Sequence, residues 1–366
     1  MSGVSGAPAP GDYGLLTTLV ADSANVRQRL DQLTQQASTG LQAGTYAGLG
    51  AGASVSLDLN PRIANLQTWQ NNISAATGPM GVTQATMTQI QQIASNFYAQ
   101  TNNLNGINTS EVDSIATSAQ DALKQVAGLL DAQNGSVFVF AGADTANAPV
   151  PDPSTILSSG FYTQIAAAVG NLGVAGAAAT AAATLGIASS NAAGTSPFST
   201  YMSQPAGTLQ AQIPTVQTGE GQSTPIGLLA SANTATVSTG GSTTGSYIRD
   251  LMRSLATLGS LSSTQVNLPG FAGLVQDTQT SLGGAISAMA GDAGVLGNRQ
   301  AALTTTQTTL AATQTALSTQ VGTAQNADMA QTLSNISLTQ TQLQASYQVI
   351  ASLSGLSLAK LLPMGA

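Results

Sequence analysis

The 366-residue chain is long enough for two or three domains, yet only 6% of it is charged, with 8 basic and 15 acidic residues and a net charge of -7. Roughly a quarter of the residues in an ordinary soluble protein are charged. Here Gln, Asn, Ser, Thr, Ala and Gly take those places, so little repulsion opposes self-association. No basic run exists to neutralise a row of phosphates, which argues against nucleic acid as a partner. The chain also lacks Cys and His, which removes disulfides, thiol nucleophiles, imidazole bases and the commonest transition-metal ligands. No catalytic residue, cofactor or metal is expected, and most hydrolase and metalloenzyme readings fall here.

Residues 1–10 are mostly Gly, Ser, Ala and Pro with neither the basic start nor the apolar stretch of a signal peptide, and they read as a flexible terminus. From Asp12 to Thr39, Leu15, Leu16, Leu19, Val26, Leu30 and Leu33 fall at intervals that predict an amphipathic helix, stopped by Gly40. Gly44, Gly48, Gly50 and Gly52 predict a loop across the next dozen residues. The helical period returns from about Asn60, with Pro61 acceptable in a first turn and Ile63, Leu66, Ile73, Met80, Met87, Ile90 and Phe97 on one stripe. Gly78 and Pro79 predict a local irregularity in a long helix. Ser110 to Asp131 reads as a third helix that stops before Asn134-Gly135.

The chain then changes character. Val137 to Phe140 is a short β-prone run, and Pro149, Pro151 and Pro153 forbid helix. Asp144 to Gly270 reads as one irregular, partly β region. Within it, Ile165 to Ala188 is apolar but made mostly of Ala, Gly and Thr around Asn171, which supplies too little transfer free energy for a membrane span. Tyr247 to Leu258 reads as a helix through Ile248, Leu251, Leu255 and Leu258, expected to pack on a small sheet. Toward the end, Leu303, Leu310 and Leu317 step by sevens to Val321, and a second register runs through Leu333, Ile336, Leu343, Tyr347, Ile350 and Leu353. The shift between them, at Gly322 to Asp328, is either a stutter or a break. Leu356, Leu358, Leu361 and Leu362 close the chain.

Narrow heptad stripes cannot bury themselves, and here they lie at opposite ends of the chain, so they are expected to bury against each other. The fold class that follows is mainly α: long N- and C-terminal helices packed together as a coiled-coil-like rod, with an inserted irregular α+β middle domain. The divisions are 1–10, a helical rod segment at 11–142, the middle domain at 143–270 and a second rod segment at 271–366. Leu15, Leu16, Leu19, Val26, Leu30, Leu33, Leu333, Ile336, Leu343, Tyr347, Ile350, Leu353, Leu356 and Leu358 are the expected assembly interface. The extreme ends carry too few partners for a complete core, and neighbouring copies are expected to supply the rest.

At this point short elements carry a resemblance. Gln35-Gln36-Ala37-Ser38-Thr39-Gly40 resembles the helix-ending Ser-Thr-Gly element near the start of flagellins and hook-filament junction proteins. Asn134 to Gly142, with Phe140-Ala141-Gly142, is similar to the element that ends the N-terminal helical part of the junction protein and tilts the choice toward it. Gly297-Asn298-Arg299-Gln300 resembles the opening of the family's C-terminal helix, Asp328-Met329-Ala330 an internal step, and Gln342 to Tyr347 with Leu356-Ser357-Leu358 its closing pattern. The charged loop expected after Ser-Thr-Gly is replaced by uncharged Gly44 to Ala53. The resemblance implies a secreted, extracellular subunit of the bacterial flagellum. It implies self-assembly, contacts with other flagellar axial proteins (flagellin and hook-associated proteins), passage through a type III export apparatus with an export chaperone, and a middle domain facing outward.

Sharper chemistry is disfavoured residue by residue. Gly48 to Gly52 is neither preceded by a strand nor followed by a phosphate-binding Lys. Asp144 and Asp152 lack calcium-loop spacing and read as turn acids. Glu220 has no second titrating group beside it and reads as a β-turn residue. The competing class of function is a secreted adhesin or binding module on a helical stalk, with Asp144 to Gly270 as its working domain.

Overall fold

The computed structural model describes residues 11–104 and 109–361, and the side chains within 11–353 except those of residues 11–13, 15, 16 and 105–108. The chain divides into two compact units, Met1–Asn65 with Ala312–Ala366, and Leu66–Ala311. This division cuts the expected rod segments across their long helices rather than at residues 142 and 270.

In the first unit, α1 (Gly11–Thr39) lies against α9 (Met329–Leu361), pairing the two ends of the chain as the heptad stripes require. The other helical parts of this unit are the start of α2 (Ala51–Asn103) and the end of α8 (Phe271–Gln325). Helix α2 begins at Ala51, about nine residues before the sequence period suggested. Gly50 absorbs the turn at φ +54°, and from there the glycines no longer interrupt the helix. Gly52 is needed where it stands: a Cβ there would lie 2.6 Å from the carbonyl oxygen of Ala324, so α2 and α8 approach backbone to backbone. The register shift at Gly322 to Asp328 is a break. Asn326 to Asp328 separate α8 from α9, and Asp328 Oδ1 accepts from Gln331 N at 3.1 Å as the cap of α9. The two connections lie side by side, joined by Gln42 N to Gln325 O at 2.7 Å and Ala327 N to Gly40 O at 2.8 Å.

The second unit has a large apolar core. On α2, Ile73, Met80, Met87, Ile90, Ala94 and Phe97 are buried, and on α8, Leu282, Met289, Leu296 and Leu303 follow at steps of seven. Gly78 and Pro79 sit inside one continuous α2. The Gly297–Gln300 element likewise lies within α8, which opens at Phe271 rather than there. Helix α3 (Thr109–Leu130) leads into a minimal hairpin of β1 (Gln133–Asn134) and β2 (Val137–Phe138), turned by Gly135 at φ +64°.

The middle region is more helical than expected. It contains α4 (Gly160–Gly170), α5 (Leu172–Ser189), α6 (Ala206–Ala211) and α7 (Tyr247–Gly259), and its sheet is one hairpin of β3 (Thr215–Gly219) with β4 (Gln222–Pro225). Glu220 and Gly221 form the turn of that hairpin, Gly221 at φ +67°. Helix α5 is long and apolar enough by composition to cross a membrane. Gly176 breaks it at φ 76°, ψ 169°, leaving an uninterrupted run of about 20 Å against a hydrocarbon core of about 30 Å.

Helix α7 packs on α3, α4 and α5 rather than on a sheet, and every one of its residues is buried. A helix walled in on all sides would be expected to be apolar throughout, yet α7 carries Arg249, Asp250 and Arg253. Each is neutralised or hydrogen-bonded, as buried charges must be. Arg249 donates to the carbonyls of Ser231 (3.0 Å) and Ala188 (2.9 Å) and to Asn191 Oδ1 (2.7 Å), and lies 5.0 Å above the Phe198 ring. Burial lowers its pKa to about 10, with Asp250 opposing the shift, and it stays charged. Asp250 accepts from Thr243 Oγ1 and from Thr244 N at 2.7 Å, burial raising its pKa against those bonds. Arg253 pairs with Asp277 at 3.3 Å. On α8, fully buried Asp292 accepts from the backbone N–H groups of Thr234 (2.8 Å), Ala235 (3.0 Å) and Thr236 (2.8 Å) and from Tyr247 Oη (3.1 Å). Burial and the Asp292 charge push the Tyr247 phenol well above its usual range. Five of the chain's 23 charged residues thus hold the 231–246 segment and the end of α5 onto α7 and α8.

Candidate assembly surface

Along α1, Leu19, Ser23, Val26, Leu30, Leu33 and Ala37 are at least partly covered and alternate four and three apart, with Gln36 also partly covered beside them. Along α9, Thr332, Ile336, Thr339, Leu343, Ser346, Ile350 and Leu353 show the same alternation, with Asn335 also partly covered beside them. This is a coiled-coil seam in which Ile or Leu alternates with Thr or Ser on the C-terminal helix. The hydroxyls cost little there because they bond within their own helix: Thr339 Oγ1 donates to Asn335 O at 2.7 Å, and Ser23 Oγ to Val20 O at 2.8 Å.

The expected interface residues divide accordingly. Leu19, Val26, Leu30 and Leu33 lie in the seam of α1, and Ile336, Leu343, Ile350 and Leu353 in that of α9. Leu333 and Tyr347 lie beside the seam and are exposed, at 56% and 47%. Leu15, Leu16, Leu356 and Leu358 lie outside the residues whose side chains are described. Thr332 (4% exposed) and Thr339 (3%) belong to the seam and were missed, since an apolar-stripe reading passes over threonine. The signal was present in their spacing of seven, in step with Ile336 and Leu343.

The seam is incompletely covered. Of the apolar α1 residues in it, Leu33 is buried, whereas Leu19, Val26 and Leu30 stay partly exposed although α9 lies along them. Val20, Leu333, Leu338, Tyr347 and Val349 are exposed outright on the same two helices. At the end of α1 and the start of the following loop lies a groove of about 450 Å³ lined by Gln32, Gln35, Gln36, Thr39 and Gln42 among others, which offers amide donors and acceptors and no charge.

The acids considered for chemistry are occupied locally. Asp144 accepts from Asn147 Nδ2 at 2.7 Å and Asp152 from Ser154 Oγ at 2.9 Å. The Ser154 and Thr155 bonds hold the Asp152 carboxyl below its usual range. Among the described residues no group of three or more acids could hold a metal ion.

Family comparison agrees with this geometry at both ends of the chain. No curated protein matches the sequence. Residues 17–145 match the N-terminal helical region of bacterial flagellin, and residues 280–362 match its C-terminal helical region. The two regions take up more than half of the chain and contain the α1 and α9 seams. The chain therefore belongs to the bacterial flagellin family, as a structural subunit that polymerises through its terminal helices into the extracellular flagellar filament.

Proposed function

We propose that the contacts between copies are made by the α1–α9 pair, with Leu19, Val26, Leu30, Ile336, Leu343, Ile350 and Leu353 completing their burial against neighbours beside the already buried Leu33, and Leu333 and Tyr347 docking directly on the next copy. The observation that carries this is the partly exposed seam: covering the remaining exposed fraction, up to about a third, of each large aliphatic side chain gains about 0.5–1 kcal/mol, repeated along two helices and at every neighbour. Leu16 continues the α1 spacing, three positions before Leu19, while Leu15, Leu356 and Leu358 fall one position to the side of the extended stripes and are assigned to the same surface as its apolar flanks. Residues 143–270 form the part of the subunit turned outward. Export unfolded through a type III apparatus, with a chaperone covering the apolar C-terminal stripe until delivery, suits a chain with no Cys to form disulfides before or during passage.

Truncation tests the reading. Removal of residues 343–366 should abolish filament formation from purified full chain, followed by sedimentation and electron microscopy. Filaments of normal length from the truncated chain would overturn it, and ligand binding retained by residues 144–270 would favour the adhesin.

A second reading, a subunit of the hook-filament junction, has in its favour the Asn134–Gly142 element. That element forms a hairpin followed by buried Phe140 and by Ala141 bridged to Leu229. Cells lacking the protein distinguish the two. Hooks bearing intact junction caps but no filament identify a filament subunit, and hooks without caps identify the junction.

A further inference from the structure

Four charged residues stand within ten positions of α1, in a chain where 6% of residues are charged: Asp22, Arg27, Arg29 and Asp31. All four are exposed, and none has an ion-pair or hydrogen-bond partner within its own chain among the described residues. With Ser23, Leu30 and Ala37 at one seam position and Leu19, Val26 and Leu33 at the other, Asp22 and Arg29 fall on one flank of the seam, and Arg27 and Asp31 on the opposite flank. Read in chain direction, the first flank runs acid then base, and the second runs base then acid.

We propose that these flanks are the two halves of a lateral contact between α1 helices of neighbouring copies, in which Asp22 of one copy meets Arg27 of the next and Arg29 meets Asp31. The proposal rests on the α1–α9 surface being the polymerising one, and the partner it commits to is a second copy of this chain. Charge complementarity fixes the register of a parallel pair. Side by side and parallel, opposite charges face each other at both places, with the copies stepped along the helix axis by about 5 Å. An antiparallel neighbour with its seam on the same side would bring like flanks together, Asp22 opposite Arg29, so direction is not selected by these charges. A polar filament is built by repeating one unclosed head-to-tail contact, which keeps neighbours parallel. Within that parallel pair the flanks set register, while the seam supplies apolar burial.

Polymerisation of the full chain, seeded with sheared filaments and read as critical concentration by light scattering, tests this through Asp22→Arg, Arg27→Asp and the two combined. At low salt each single exchange places like charges together and should raise the critical concentration about tenfold, and the combination should return it to within about threefold of the parent. The single-exchange penalty should shrink by more than half in 0.5 M NaCl. Single variants that polymerise like the parent, or a combination no better than the worse single variant, overturn the inference, and Arg29→Asp with Asp31→Arg repeats the test at the second pair. Circular dichroism of the monomers confirms that each variant keeps its helices. A parent chain that does not polymerise at all refutes the proposed function itself, a different outcome from filaments indifferent to the exchanges.

Discussion

Replacing Asp292 by Ala removes the acceptor for three backbone N–H groups, at 2.8, 3.0 and 2.8 Å, and for the Tyr247 hydroxyl at 3.1 Å, all around a fully buried side chain. Hydrogen bonds to a charged group contribute about 1.5–3 kcal/mol each. Against that sum stands the release of a buried carboxylate, worth several kcal/mol. The net loss is about 3–5 kcal/mol, in the range found when one partner of a buried charged network is deleted. Asp292→Asn keeps one acceptor oxygen but turns an NH2 toward other donors, so it should recover less than half. The chain's single tryptophan, Trp69, lies in the same compact unit, so its fluorescence in urea reports unfolding of that unit. Limited proteolysis should cut the Asp292→Ala protein first within 231–246, the segment whose N–H groups were orphaned. A loss below about 1 kcal/mol with 231–246 still protected would refute the assignment of Asp292 as its anchor.

Two other substitutions probe local physics. Burial raises the half-exposed Asp131 from 3.8 to about 6 in spite of the Val150 N–H at 2.9 Å, so its protonation stabilises the fold fully below pH 4 and that contribution is lost as pH rises through 6. Asp131→Asn keeps the acceptor for Val150, and after allowance for solvent screening it should stabilise by about 1 kcal/mol at pH 7 and by nearly nothing at pH 4 in paired urea titrations. Gly160→Ala would place a Cβ 1.7 Å from the Gly194 carbonyl oxygen, and should cost about 2–3 kcal/mol by thermal unfolding, with the start of α4 displaced.

The long helices were legible because heptad spacing survives any surface composition. Met80 to Met87, Ile90 to Phe97 and Leu303 were read from sevens and are buried. The stop at Gly40 was legible for the same reason that glycine works there, since it takes positive φ, whereas Gly135, also at positive φ, turns the hairpin after α3 has already ended at Leu130. The start of α2 was not, because a glycine count cannot show that Gly50 alone makes the turn and Gly52 is already helical. The surroundings of α7 were misjudged: its apolar residues gave the helix, but the region's Gly, Ser and Thr suggested a sheet where Ala-rich α5 supplies a small-residue helix to pack on. Buried charge was invisible to the sequence, since Arg249, Asp250 and Asp292 differ from surface residues only in partners brought from up to about sixty residues away. The seam itself was half legible, its aliphatic members from their spacing and its threonines only from the structure.

The paired connections between the helices have a mechanical meaning. A rotating filament loads its subunits in tension and torsion, and a single-stranded linker would extend under such force one bond at a time. Here Gly40 to Gln42 and Gln325 to Ala327 are bonded to each other by two backbone hydrogen bonds, with Gln42 Nε2 reaching Asn326 O at 3.2 Å as a third link. Pull on either connection is thus passed in part to the other through these bonds.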